Sequence, residues 1–250
     1  MTKTAFSTAA TEVARRDRVM ANLIKKTSPF HLPRSSTGHF ATLAESSPPD
    51  LDAMGEADSV ACDPHKWLYA PIDAAITLVR ERGALERSFA FHVPYLHAGE
   101  NESDRVDILE RSPENTRPFR ALKVWLAMQV YGREGYGALI ERDIRLAAYL
   151  EALVLATPGL VLAAPRQLSV VCWRAEPERL AGDPERLNRL QDAISHELEA
   201  RGIAVVSVTP LHGGRSALRA CIVNFRTGVE DVEVLVRASR ELADELAASI

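Results

Sequence analysis

The chain has little cysteine, no long apolar run and no excess of positive charge. Its cysteines, Cys62, Cys172 and Cys221, are scattered, odd in number and free of any C-x-x-C spacing. That pattern argues against a disulfide framework and against a zinc site, and a reducing cytoplasm is the simplest setting. No stretch approaches the ~20 apolar residues that a membrane span needs. A net charge of −4 offers no basic surface to nucleic acid. The N-terminal stretch lacks the apolar core of a secretory signal. It carries Arg15, Arg16, Arg18, Lys25 and Lys26 among Thr and Ala, yet Glu12 and Asp17 count against a transit peptide. Internal repeats and low-complexity tracts are also missing.

What remains is an ordinary globular composition. The 250 residues are 46% hydrophobic and 26% charged, enough for one large domain or two small ones. Loop signals crowd the first 50 residues, with one candidate helix from Thr11 to Ile24. Strands are expected at Ser59–Cys62 and Ala74–Val79, a short helix near Gly83–Phe89, and a long polar connection after it. Arg120–Tyr131 reads as a helix with Leu122, Trp125, Leu126 and Gln129 on one side. Gly132 and Gly135 are expected to interrupt it before a second helix, whose face carries Leu139, Leu146, Leu150 and Leu153. Strands at Leu160–Ala163, Leu168–Trp173, Ile203–Val208 and Leu218–Phe225 alternate with two further helices. The first of these starts at Asp183-Pro184, a carboxylate cap followed by a proline with a preset φ, and stops at Gly202.

The stretch most loaded with chemistry is Asp63-Pro64-His65-Lys66, set between the two expected strands. Taken alone, Lys66 is a surface cation or a Schiff-base amine. The second use requires apolar or cationic neighbours, because desolvation frees the amine. Asp63 is equally a turn-former before Pro64.

Three blocks, "DSVACDPHKWLYAPIDAAITLVRE", "RPFRALKVWLAMQVYGREGYGALIERDI" and "LRACIVNFRTGVEDV", occur in an order that resembles the group II pyridoxal-phosphate-dependent amino-acid decarboxylases. The resemblance covers residues 38–250. It implies an α/β chain of the aspartate-aminotransferase type I, PLP-dependent transferase fold. On that reading residues 1–37 are an unassigned segment and 38–117 the last part of a truncated cofactor-binding large domain. Residues 118–250 are then the small C-terminal α+β domain, and the whole is the C-terminal half of a family member.

The resemblance further implies pyridoxal 5'-phosphate as cofactor and decarboxylation of a small-molecule L-amino acid by a homodimer, and no metal is expected. Lys66 matches the lysine that forms the internal aldimine. His65 matches the histidine against the cofactor phosphate and the reacting centre, and Asp63 a polar position near the phosphate. Tyr95 falls where the family's mobile loop carries a proton-donating tyrosine, whose presence favours plain decarboxylation. Arg219 aligns with an arginine that binds substrate carboxylate in one branch and is structural in others. Arg117, Arg120 and Trp125 are expected to serve packing and a hinge. The family's ring-nitrogen aspartate counts back to Arg34, a cation that would repel a pyridinium. The alternative is a catalytically inactive fragment or interaction protein of the same family. An aminotransferase or lyase of the same fold fits the second and third blocks less well. Strand faces left by a truncated large domain are expected to be exposed or covered by a partner.

Overall fold

The structure, a computed structural model, describes residues 38–90, 108–114 and 116–250. The candidate helix at 11–24, Arg34 and Tyr95 lie outside the described residues. Two compact units are present. One contains Pro48–Val130; the other joins Phe40–Ser47 to Tyr131–Ile250.

In the first unit a 3-10 segment, Pro49–Glu56, leads into β1 (Ser59–Cys62). β1 pairs antiparallel with β2 (Ile76–Val79), Ser59 opposite Val79 and Cys62 opposite Ile76. The helix α1 (Ala84–Phe89) follows, and a 3-10 turn at Ile108–Arg111 is tied back to it by Arg111 Nε on Glu86 Oε1 at 2.6 Å. Buried Leu51, Cys62, Trp67, Leu68, Ala70, Ala74 and Phe89 supply the apolar interior. Neither strand is a buried core strand, since β1 and β2 keep exposed or half-buried positions along most of their length.

Helix α2 spans Arg120–Ala156 but leaves helical torsions at Gly132, where φ is 62° and ψ −178°. Only glycine adopts that region without strain. The expected interruption is therefore real at Gly132, while Gly135 stays helical. The apolar side of residues 120–131 does not pack as expected: Leu122, Trp125 and Leu126 are all exposed, Trp125 by 55%.

The second unit is a four-stranded antiparallel sheet, order β3-β4-β6-β5, built from β3 (Leu160–Gln167), β4 (Val170–Ala175), β5 (Ser207–Pro210) and β6 (Ser216–Cys221). Helices α3 (Pro184–Ala200) and α4 (Val229–Leu246), with the later part of α2, bury one core with it. Leu146, Leu150 and Val154, and Leu190, Ile194 and Leu198, recur every fourth residue, so each helix turns one apolar stripe inward. Asp183 caps α3 as its spacing predicts, accepting from Arg186 N at 3.0 Å. At the other end Gly202 N donates to Glu199 O and Ile203 N to Leu198 O, both at 2.9 Å, a Schellman closure around a left-handed glycine.

That closure explains one shifted strand. The apolar run from Ile203 predicts a strand, but the amides of Ile203 and Ala204 are already spent on Leu198 O, so pairing begins only at Ser207, opposite Arg219. Leu168 likewise sits at φ 52° in a turn, and β4 starts at Val170. It then runs on through Arg174, a fully buried guanidinium held by Glu176, Asn188 and the Ser216 carbonyl. The side-chain amide of buried Gln191 meets both backbone groups of Ala175 at 2.9 Å, standing in for a neighbouring strand.

Residues 40–47 dock on α2 through a close backbone approach. A Cβ on Gly137 would lie 2.6 Å from the Leu43 carbonyl oxygen. Ser46 donates from N and Oγ to Glu141 Oε2 at 3.0 and 2.7 Å, and these bonds hold the Glu141 carboxyl below its ordinary range. Gly137→Ala should therefore push this segment off the helix, at a cost of about 1–3 kcal/mol typical of overpacking. Faster hydrogen exchange at the Ser46 amide, with the sheet amides unchanged, is the expected signature. Equal exchange in both proteins would show that the approach is not tight.

Candidate active site

The tetrad forms the connection between β1 and β2. Asp63 and Pro64 occupy the first two positions of a turn closed by Lys66 N on Asp63 O at 3.1 Å, the residue types such a turn favours. A second turn follows at once, Tyr69 N to Lys66 O at 3.0 Å, and Ala70 N to Pro64 O at 3.0 Å closes both. Pro64, Trp67 and Leu68 point inward and are buried, which leaves Asp63, His65 and Lys66 half-buried on the remaining side. Three chemically active side chains are thus presented together by a backbone that does not depend on them.

Their surroundings differ from the expectation for the lysine. Lys66 Nζ sits 2.8 Å from Asp63 Oδ2, with both side chains 29% exposed. Among the described residues the amine meets a carboxylate, because the turn brings positions i and i+3 side by side. Asp63 therefore closes the turn through its carbonyl and meets the lysine through its carboxylate. The His65 ring places Nδ1 3.5 Å from the carbonyl oxygen of Ala74.

Ala74 follows Asp73, a residue the sequence reading passed over. Asp73 Oδ2 accepts from Arg120 Nε at 2.7 Å, and Oδ1 lies 3.5 Å from Lys123 Nζ. Arg120 also holds Glu114 Oε2 through Nη1 at 2.8 Å. The Arg120 bond, ahead of the other contributions, holds the Asp73 carboxyl below its ordinary range, and the same contacts push the Arg120 guanidinium up. Arg117 Nη2 donates to the carbonyls of Ile108 at 3.0 Å and Glu114 at 2.8 Å. Arg117 and Arg120 thus anchor chain segments rather than pack in a core. The available signal for Asp73 was a lone carboxylate in the apolar run "APIDAAITLV".

Arg219 lies on β6 in the second unit, half-buried, opposite Cys172 on one side and Ser207 on the other. A groove of about 830 Å³ in that unit is lined by Leu43, Glu45, Arg133, Glu141, Arg145 and Tyr149 among others, and Asp63, His65, Lys66 and Arg219 do not line it. Among the described residues no cluster of His, Cys, Asp or Glu is placed to hold a metal, and no helix is long and apolar enough to cross a membrane.

The chemistry of the 63–66 turn, an amine beside an imidazole on a partly open surface, suits an aldehyde-bearing ligand. A family model described as "Pyridoxal-dependent decarboxylase conserved domain" matches residues 7–176, starting ahead of residue 38. The chain is 32% identical over 215 residues to an aromatic-L-amino-acid decarboxylase of Bacillus atrophaeus, covering 86% of this chain and 44% of that one. It is 34% identical over 182 residues to a histidine decarboxylase of Drosophila melanogaster, covering 73% and 20%. Among solved structures it resembles Oryza sativa TDC with PLP and tryptamine, with a TM-score of 0.75, 26% identity, and coverage of 83% and 43%. The chain therefore spans less than half the length of these relatives.

Proposed function

The chain belongs to the pyridoxal-dependent decarboxylase family, and from that premise we propose that it takes part in the decarboxylation of a small-molecule L-amino acid, with Lys66 holding pyridoxal 5'-phosphate. The observation that carries this reading is the shared presentation of Lys66, His65 and Asp63 on one backbone-closed turn. Pyridoxal phosphate, when bound, supplies an aldehyde for amines and a ring that draws electrons from the bond to be broken. The rest falls to the protein. Lys66 Nζ is the attachment point. Asp63 would keep that amine in place through the 2.8 Å pair. His65 lies next to the lysine on the same turn and is the proposed contact for the phosphate and the reacting centre.

Tyr95 is the proposed proton donor and Arg219 the proposed contact for a substrate carboxylate. A cytoplasmic homodimer completes the proposal, in keeping with three free thiols. The names of the relatives place aromatic amino acids and histidine first in a substrate panel. A second reading, a non-catalytic interaction protein of the same fold, has its own support. Lys66 is engaged by a carboxylate, and Leu122, Trp125 and Leu126 leave an apolar helix face open.

The test is covalent. The full chain is incubated with pyridoxal phosphate, its absorbance recorded, the mixture reduced with borohydride and the label located by peptide mass. The chain holds only Lys3, Lys25, Lys26, Lys66 and Lys123 as candidate amines besides its N-terminus. A visible band, with the fixed label confined to Lys66, is the expected result. Label spread over all the lysines, or no label, leaves the second reading standing.

A further inference from the structure

The geometry points to Asp73, gripped by Arg120 and Lys123, as a positioning residue that fixes the His65 imidazole through the Ala74 carbonyl. The inference rests on the reading of His65 as a group beside the reacting centre.

The chain of contacts is short. Arg120 and Lys123 stand one turn apart on α2 and reach the two oxygens of the same carboxylate, at 2.7 and 3.5 Å. Arg120 is itself braced by Glu114 at 2.8 Å, so its fork has a fixed plane. A carboxylate held at both oxygens fixes its own backbone, and the next residue along is Ala74, buried, whose carbonyl faces the imidazole. A carbonyl oxygen can only accept. The 3.5 Å contact is therefore a hydrogen bond only when Nδ1 carries the proton, and in the neutral ring that leaves the lone pair on Nε2. A tautomer choice on the turn is thus set by two cations that follow it by more than fifty positions in the chain.

A purely structural role fits these residues poorly. Asp73 is 63% exposed, and exposed ion pairs add little to folding stability. The position of the pair matters here more than its strength: it is anchored to a helix on one side and adjoins the His65 partner on the other.

The test reads the ring directly and needs no cofactor. The ring nitrogens of His65 are observed by long-range proton–nitrogen correlation in the labelled full chain in alkaline buffer, with His65→Gln for assignment. Wild type should show one protonated and one unprotonated nitrogen, with Nδ1 carrying the proton. In Asp73→Asn and Arg120→Met the two shifts should move toward each other as the tautomers mix, and Arg120→Lys should restore part of the separation. Circular dichroism and the thermal midpoint should stay near wild type. Should Arg120→Met fail to fold, the near-isosteric Asp73→Asn decides. Folded variants with the wild-type nitrogen pattern, or a wild-type ring protonated at Nε2, would overturn the proposal. A clamped His65 in a chain that takes no borohydride label on Lys66 would keep the clamp and remove the catalytic reading, so the two failures are distinct.

Discussion

Lys66→Ala should carry no borohydride-fixed pyridoxal phosphate while keeping its fold. The turn is closed by Lys66 N on Asp63 O, Tyr69 N on Lys66 O and Ala70 N on Pro64 O, and none of these uses the lysine side chain. Trp67 and Leu68, which hold the turn on the interior, are untouched. The pair that Lys66 makes with Asp63 lies at a partly exposed site and is worth at most about 1 kcal/mol. Loss of label would therefore report the missing amine and not a disrupted loop. Lys66→Arg sharpens the comparison. It keeps the cation and its pairing with Asp63, but a guanidinium stays protonated and does not bond an aldehyde. Both variants should be unlabelled, with circular dichroism and thermal midpoint close to wild type. A label of wild-type strength in Lys66→Ala would show that another amine holds the cofactor.

Trp173→Ala should lower the stability of the second unit by about 3–5 kcal/mol, the usual cost of emptying a large aromatic site. Trp173 lies fully buried on β4, in the core shared with Leu150, Val154, Leu190, Ile194 and Leu218. Its neighbours belong to several elements, so no single side chain can relax into the space. Trp173→Phe should cost far less. The indole Nε1 is buried without an acceptor among the described residues, and replacing an unsatisfied donor by apolar carbon recovers part of the volume loss. Denaturant unfolding of the two variants checks both statements. Equal losses would mean that the indole nitrogen finds a partner the contacts do not reveal.

The second unit was largely legible because its signals are local. Asp183-Pro184 at the start of α3, Gly202 at its end and fourfold leucine spacing each act within a turn or two of chain. The errors come where one local signal competes with another. Ile203 reads as strand on apolarity alone, but its amide closes a helix. Arg174 reads as the end of a strand, but β4 continues because partners from α3 and β6 bury the charge. In the first unit the tetrad stood out because its residues are adjacent in the chain. The contacts of Asp73 with Arg120 and Lys123 span 47 and 50 positions, and no periodicity or spacing rule reaches that far. The setting of Lys66 was misjudged for another reason. Apolar flanks suggested a dry loop, whereas a proline-led turn folds an acid three positions away onto the amine.

The torsions at Gly132 have a consequence for how this chain tolerates changes in length. A residue inserted within a continuous helix rotates every later side chain by about 100° about the axis. At Gly132 the backbone already departs from the helical basin, so the facing of 120–131 and that of 133–156 are set independently. An insertion or deletion at this joint leaves the phase of Leu146, Leu150 and Val154 against their sheet intact, and equally that of Arg120 and Lys123 against Asp73. The same change inside either set, between Arg120 and Lys123 or between Leu146 and Val154, would turn its members away from their shared partner. Variation in length along this stretch is thus accommodated at one peptide unit.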